Sequence, residues 1–243
     1  MNAALIFAGG TGSRMKAKDK PKQFLEMNGK PIIIHTLEHF DEHPDIDFIV
    51  VVCIEGWIDF LWEKIKKFNI KKVIEVIPGG TTGQESIRRG LFAIRDYVSD
   101  KDENTIVLIH DGVRPLIDEK LISDNINCVK QHGNAITVVP AIETIIETDE
   151  ENNISKVADR SRCKMARAPQ SFYLKDILNA HYMAMKDKEL EMIDSAMLMQ
   201  HYGHVLHTVL GPVENIKITT PMDYHIFRAL VMAKENEQLG DQL

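Results

Sequence analysis

Ala8-Gly9-Gly10-Thr11-Gly12-Ser13-Arg14-Met15 is followed closely by Pro21-Lys22-Gln23-Phe24. This pairing suits phosphate. Glycines let main-chain N–H groups approach phosphate oxygens, and Arg14 and Lys22 add side-chain charge to the same oxygens. From Arg14 to Lys22, five cations face one acid, Asp19, a local charge of +4 in a chain of formal net charge −7. A dinucleotide fingerprint would read G-x-G-x-x-G, and a Walker loop would end in G-K-[ST]. Here G-G-T-G-S-R puts a cation where the first motif has its third glycine. Taken alone, the loop also fits a tight turn flanked by solvated lysines.

Four further segments carry residues of chemical use. Gly79-Gly80-Thr81-Thr82-Gly83-Gln84-Glu85-Ser86 sets glycines and hydroxyls before a helix, where nucleotide contacts are natural. In His110-Asp111-Gly112-Val113-Arg114-Pro115, the Asp111 carboxylate can accept hydroxyl hydrogen bonds or sit near a metal. A structural Asp111–Arg114 pair is the alternative there. Asp159-Arg160-Ser161 offers Arg160, by default an exposed cation, with Ala168-Pro169-Gln170-Ser171-Phe172 beyond it. In Glu214-Asn215-Ile216-Lys217-Ile218-Thr219-Thr220-Pro221, Lys217 alternates with Ile216 and Ile218 and reads by itself as a surface lysine. The ten histidines form no H-E-x-x-H spacing, and Ser195 lies in no G-x-S-x-G elbow. Nucleophilic catalysis has no support.

The elements that must position these residues alternate. Apolar, β-rich runs cover residues 4–7, 48–52, 72–77, 105–109 and 135–139. Near-continuous apolar strands belong to a parallel sheet buried on both faces. Helical patterns fill the intervals: one begins with Pro31 at its first position and shares a face among Ile33, Leu37 and Phe40, and others lie near 56–68, 84–97 and 118–131. The class is α/β, doubly wound, with ligands beyond the C-terminal strand ends. Near residue 141 the period changes to two over Ile142-Glu143-Thr144-Ile145-Ile146-Glu147. A polar turn and Ile154-Ser155-Lys156-Val157 complete a hairpin. Such an arm needs a cover, either a second subunit or its own domain. Helices over 174–202, a strand over 204–210 and a last helix from 221, capped by Thr220 with Asp223 at N3, finish one domain over 1–243 with the arm at about 141–160.

Composition sets the bounds. Apolar residues make up 44% of 243, enough for a full core. The acidic balance argues against nucleic acid as a partner. Cys53, Cys128 and Cys163 form no CxxC pair, which points to a reducing compartment without a zinc site. No apolar run nears the ~18 residues of a membrane span, so the expectation is a cytoplasmic protein with no membrane partner.

The motifs A-G-G-x-G-x-R-M, P-K-Q-F, G-G-x(5)-S, H-D-x-V-R-P, D-R, P-Q-S-F and N-I-K-I-T-T-P occur in that order. Together they resemble the cytidylyltransferases acting on polyol phosphates, which include enzymes for 2-C-methyl-D-erythritol 4-phosphate and for D-ribitol 5-phosphate. The resemblance runs from residue 4 to about 230. It implies a Rossmann-like, mostly parallel sheet with helices on both faces, a protruding β-arm that joins a homodimer, CTP and a polyol phosphate as substrates, and Mg²⁺ mainly on the CTP phosphates. It implies Arg14 and Lys22 as cations acting on those phosphates in the transition state. Ala8, Gly9, Gly10, Gly12, Gly80 and Ser86 would surround the nucleotide. Asp111 would contact the polyol, and Arg160 and Lys217 would position the acceptor phosphate, Arg160 across the dimer.

The chain departs from many members at Ala168, where threonine is common, and at Gly83, where arginine is common. Gly112-Val113 replaces the two alanines frequent in the methylerythritol enzymes, which inclines the reading toward ribitol 5-phosphate, with methylerythritol phosphate as the alternative and a related capsule or wall polyol phosphate also possible. A nicotinamide oxidoreductase and a non-catalytic nucleotide-binding module are the competing classes. The missing G-x-G-x-x-G weighs against the first, and the retained cations against the second.

Overall fold

A computed structural model of the chain describes residues 1–9, 20–99 and 104–240. Strand β1 (Asn2–Ala8) is an interior strand of a seven-stranded sheet. After it come a two-residue hairpin, β2 (Glu26–Met27) and β3 (Lys30–Pro31), and helix α1 (Ile32–Glu42). Next are β4 (Phe48–Cys53), α2 (Ile58–Lys67), β5 (Val73–Pro78), α3 (Gly83–Val98), β6 (Ile106–Asp111), α4 (Glu119–His132) and β7 (Asn134–Pro140). The arm is β8 (Ile146–Thr148) and β9 (Ile154–Val157). Then follow β10 (Lys164–Tyr173), α5 (Leu174–Asp187), α6 (Ser195–His201), β11 (Thr208–Leu210) and α7 (Pro221–Gly240).

The sheet order is β11-β7-β10-β6-β1-β4-β5. β1 runs parallel to both β4 and β6, so the strand order runs away from β1 in opposite directions on its two sides. Ala8, Cys53, Pro78 and Asp111 end their strands on one edge, where such a switch opens a ligand crevice. β10 alone is antiparallel, to β6 and β7, so its first half arrives at that same edge.

Side-chain alternation along the strands separates two cores. Ala4, Ile6, Ile49 and Val51 face α1, α2 and α4, burying Leu37, Leu61 and Ile126. Ala3, Leu5, Val50 and Val52 face α3, α5 and α6, burying Leu91, Ile177 and Leu198. All six residues of β4 and of β6 are buried, which is why these runs lack a polar face. Helix α3 packs close because Gly90 has no Cβ; one there would overlap Leu5 Cδ1 and crowd Val52. A smaller cluster, with Val113, Ile218 and Phe227 buried, fastens α7 over the β2–β3 hairpin.

Several elements differ from their sequence expectation. Pro31 lies just outside α1 with ψ 144°, so the helix starts at Ile32. The 174–202 segment breaks at 188–194: Lys188 turns left-handed (φ 63°), and Asp194 restarts the helix by accepting the Met197 N–H at 2.8 Å. The 204–210 strand contracts to Thr208–Leu210. β10 and the β2–β3 hairpin were not anticipated. Thr220 and Asp223 do cap α7: Asp223 accepts from Thr219 and Thr220 N–H, and its own N–H reaches Thr220 Oγ1. Among the described residues, no helix is long and apolar enough to cross a membrane.

Candidate active site

The Pro-Lys-Gln-Phe segment forms one short 3-10 turn, Lys22–Phe24, beneath the end of β1. Phe24 is fully buried, stacked on Trp57 at 4.9 Å and edge-on to Phe60 at 5.3 Å. Buried Gln23 donates from Nε2 to the Ala8 carbonyl at 2.6 Å. These two anchors fix the turn, and Lys22 comes to line a cavity of about 90 Å³ with Ala8 and Gly9.

The second glycine segment closes on the first. Ser86 Oγ accepts the Gly80 N–H at 3.0 Å and donates to the Thr82 carbonyl at 2.9 Å. A Cβ on Gly9 would sit 3.3 Å from that Oγ, and one on Gly79 would sit 3.4 Å from the Gly9 Cα. The β1 and β5 loops therefore touch backbone to backbone. Thr82 caps α3 by accepting the Glu85 N–H at 3.1 Å, and the Glu85 carboxylate, held at about 2 by hydrogen bonds from Thr81 and Arg89, closes the turn.

Asp111 is the electrostatic centre. It is buried at the end of β6, with Arg114 Nε on Oδ2 at 2.7 Å and Lys217 Nζ on Oδ1 at 2.5 Å. Burial by itself would raise its pKa; the charges of Lys217 and Arg114 and their hydrogen bonds outweigh that and hold it at about 2. The Asp111–Arg114 pair thus exists, and Lys217 is no ordinary surface lysine. The Ile218 N–H donates to the Val113 carbonyl at 2.9 Å, which brings residue 217 to the site from far along the chain. His110 is fully buried, and burial pushes it down to about 3; its Nε2 lies 3.1 Å from the Arg114 carbonyl and, as the ring is neutral, donates to it.

Asn215 supports this cluster. Its Nδ2 donates to the Ala168 carbonyl at 2.8 Å, and its own carbonyl accepts from both Arg114 and Arg167 at 2.9 Å. Gln84 donates to the Glu189 carbonyl and accepts the Met192 N–H, both at 2.9 Å, holding the 188–194 loop over α3. Gln170 binds Asp194 and the Ala196 N–H in the same way. Together they frame a cleft of about 300 Å³ whose walls include Gly83, Asp111, Arg167, Ala168 and Lys217. Phe7, Asp111 and Lys217 also line the smaller cavity beside Lys22, so the two spaces share a wall.

Of the sequence-predicted residues, Ala8, Gly9, Lys22, Asp111 and Lys217 meet here, with Gly80 and Ser86 in the adjoining loop. Arg160 does not join them. It sits on the arm's exposed 3-10 turn, donating to the Ile142 carbonyl at 2.9 Å. Gly10, Gly12 and Arg14 lie outside the described residues. Asp111 does not fit a metal ligand in this arrangement, because both of its oxygens are occupied by cations. Among the described residues, no group of three or more His, Cys, Asp or Glu could hold a metal. Sequence reading missed Gln84, Arg167 and Asn215 as site builders. Asn215 lay inside a quoted motif, but its partners are separated from it by 47 residues or more.

Comparison with known proteins agrees with this geometry. The family model described as IspD, 2-C-methyl-D-erythritol 4-phosphate cytidylyltransferase, matches residues 2–233. A Vibrio parahaemolyticus protein named ribitol-5-phosphate cytidylyltransferase is 54% identical, covering 98% of this chain and 99% of its own. A Clostridium acetobutylicum protein named 2-C-methyl-D-erythritol 4-phosphate cytidylyltransferase is 37% identical, covering 97% and 99%. The solved structure of 4-diphosphocytidyl-2C-methyl-D-erythritol synthase from Anaerococcus prevotii superposes with a TM-score of 0.82 at 26% identity, covering 95% of this chain and 96% of that one. With the motifs, the sheet and its ligand edge all in place, the chain belongs to the 2-C-methyl-D-erythritol 4-phosphate cytidylyltransferase family.

Proposed function

We propose that this protein transfers CMP from CTP to D-ribitol 5-phosphate, giving CDP-ribitol and pyrophosphate. The observation that carries the chemistry is the shared wall of Phe7, Asp111 and Lys217 between the Lys22 cavity and the larger cleft. It leaves room for a nucleotide on the glycine-loop side and an acceptor on the other, with their phosphates meeting at the wall. The choice of acceptor is supported by the full-length relative at 54% identity that is named for ribitol 5-phosphate, against 37% for one named for the methylerythritol substrate.

An oxygen of the acceptor phosphate attacks the α-phosphorus of CTP. The bond from that phosphorus to the oxygen bridging the β-phosphate breaks, and pyrophosphate leaves with the electron pair. A phosphate monoester is mostly a dianion at neutral pH, with its second pKa near ~6, so no general base is needed. What must be supplied is positive charge and alignment. Lys22 and Arg14 act on the nucleotide phosphates, while Lys217, steered by Asp111, faces the acceptor. Gly9, Gly80 and Ser86 shape the nucleotide side. Mg²⁺, in this reading, arrives on the triphosphate, since Asp111 is already committed to cations. The arm brings Arg160 to the site of a second subunit, and the protein works in the cytoplasm, where CTP is available.

The test is pyrophosphate release from CTP and Mg²⁺ with ribitol 5-phosphate, methylerythritol 4-phosphate and glycerol phosphates in parallel. Ribitol 5-phosphate is expected to give the highest kcat/KM. A higher value with methylerythritol 4-phosphate would move the protein to the isoprenoid reaction, and release with none of them would overturn the proposal.

A further inference from the structure

The charges around Arg167 do not balance. This half-buried residue of β10 lines the larger cleft, and its Nη1 donates to the Asn215 carbonyl at 2.9 Å. Arg114 Nη1 reaches the same oxygen at 2.9 Å. Two guanidiniums therefore converge on one neutral acceptor. Arg114 is compensated by Asp111, whereas Arg167 has no carboxylate partner among the described residues. Burial, then the like charge of Arg114, works against its cation. The cleft's other acid is taken: Asp194 accepts the Met197 N–H at 2.8 Å and Gln170 Nε2 at 2.9 Å. Neighbouring Ala168 has no polar side-chain atom. Arg114, Arg167 and Lys217 thus face Asp111 and Asp194 around one cavity, three cations against two carboxylates.

We propose that Arg167 is a substrate-binding residue that takes the phosphate monoester of the acceptor and so helps to select it. The inference rests on the acceptor being a polyol phosphate. That phosphate is the acceptor's one anionic group, and neutral hydroxyls would leave the guanidinium uncompensated. The nucleotide phosphates belong beyond the shared wall, at the cavity that Lys22 lines and Arg167 does not. A guanidinium can keep one N–H on Asn215 and turn its remaining fork to a phosphate, which an ammonium cannot do.

The experiment is steady-state pyrophosphate release by wild type, R167M and R167K, varying ribitol 5-phosphate and CTP in turn, with thermal midpoints recorded. R167M is expected to raise KM for ribitol 5-phosphate about 10–100-fold, the size of a lost charge-assisted contact, and to change KM for CTP by less than about twofold. R167K, which keeps the charge without the fork, should fall between the two and serves if R167M does not fold. An unchanged acceptor KM, or an equal rise for CTP, overturns the role of Arg167. A wild type that turns over ribitol 5-phosphate beside an unaffected R167M sinks this inference alone. A wild type inactive with every polyol phosphate sinks the function reading, and this inference with it.

Discussion

At the scale of single residues, Asp111 settles a choice that its side chain alone leaves open. A buried carboxylate at a strand end can be a metal ligand, a base or a counter-ion. Here Arg114 and Lys217 each take one oxygen, and the pKa of about 2 keeps it charged throughout the working range. It is therefore the counter-ion that lets two cations stand side by side. Asp111→Asn would leave those cations poorly compensated, destabilising by about 3 kcal/mol, as expected when one member of a buried ion pair is removed. The pH dependence has a definite sign. A carboxyl whose pKa is lowered on folding contributes fully above its unfolded value and loses that contribution as pH falls through the folded one. Urea denaturation of wild type and the Asn variant should show a gap that closes as pH drops from 3.8 toward about 2. A gap that persists unchanged at the lower end would show that the Asn variant is destabilised by something other than charge.

At the scale of elements, legibility followed burial. All six runs expected as sheet strands are among its seven, although 204–210 contracts to Thr208–Leu210. In β4 and β6 burial on both faces leaves an unbroken apolar signature, while the edge strand β5 alternates. β10 was illegible for the converse reason. Lys164-Met165-Ala166-Arg167-Ala168-Pro169 carries no β-branched residue and includes a proline, and its register with β7 shifts between Ala166 and Gln170. Pairing with β7 over Lys164–Ala166, and with both β6 and β7 over Gln170–Phe172, makes it a strand, and the same irregularity carries Arg167 and Ala168 to the cleft. In the site, Asp111 and Lys217 were each singled out, but their pairing spans residues far apart and depends on the Val113–Ile218 backbone contact. Gly90 shows packing overruling propensity. Alanine gains about 1 kcal/mol in a helix interior over glycine, yet a Cβ there overlaps fully buried Leu5 and crowds Val52, and overpacking costs about 1–3 kcal/mol. Gly90→Ala should therefore unfold at lower urea, with a net loss of about 1 kcal/mol. A midpoint at or above that of wild type would mean α3 moves off the sheet more freely than this packing implies.

At the scale of the whole molecule, the arm does not close on its own chain. β8 and β9 pair only with each other, every residue of both is exposed, and Ile142, Ile154 and Val157 remain 71%, 62% and 61% accessible. An isolated two-stranded hairpin is marginal in water, which supports the proposed second subunit; under two-fold symmetry each arm would then reach the other body. Arg160 rides on this arm, away from the Lys22 and Asp111 cluster of its own chain. If it serves the partner's site, two defective chains can complement. Lys22→Ala and Arg160→Ala homodimers should each lose about 10²–10³ in rate, the usual effect of removing one group that stabilises transition-state charge. A heterodimer of the two, isolated through different affinity tags after co-expression, holds one site with both defects. Its other site combines an intact Lys22 from one chain with an intact Arg160 from the other. That dimer should recover about half of the wild-type rate. Were Arg160 to act within its own chain, every site would still lack one cation and the rate would stay at the level of the single variants, which would overturn the cross-subunit role.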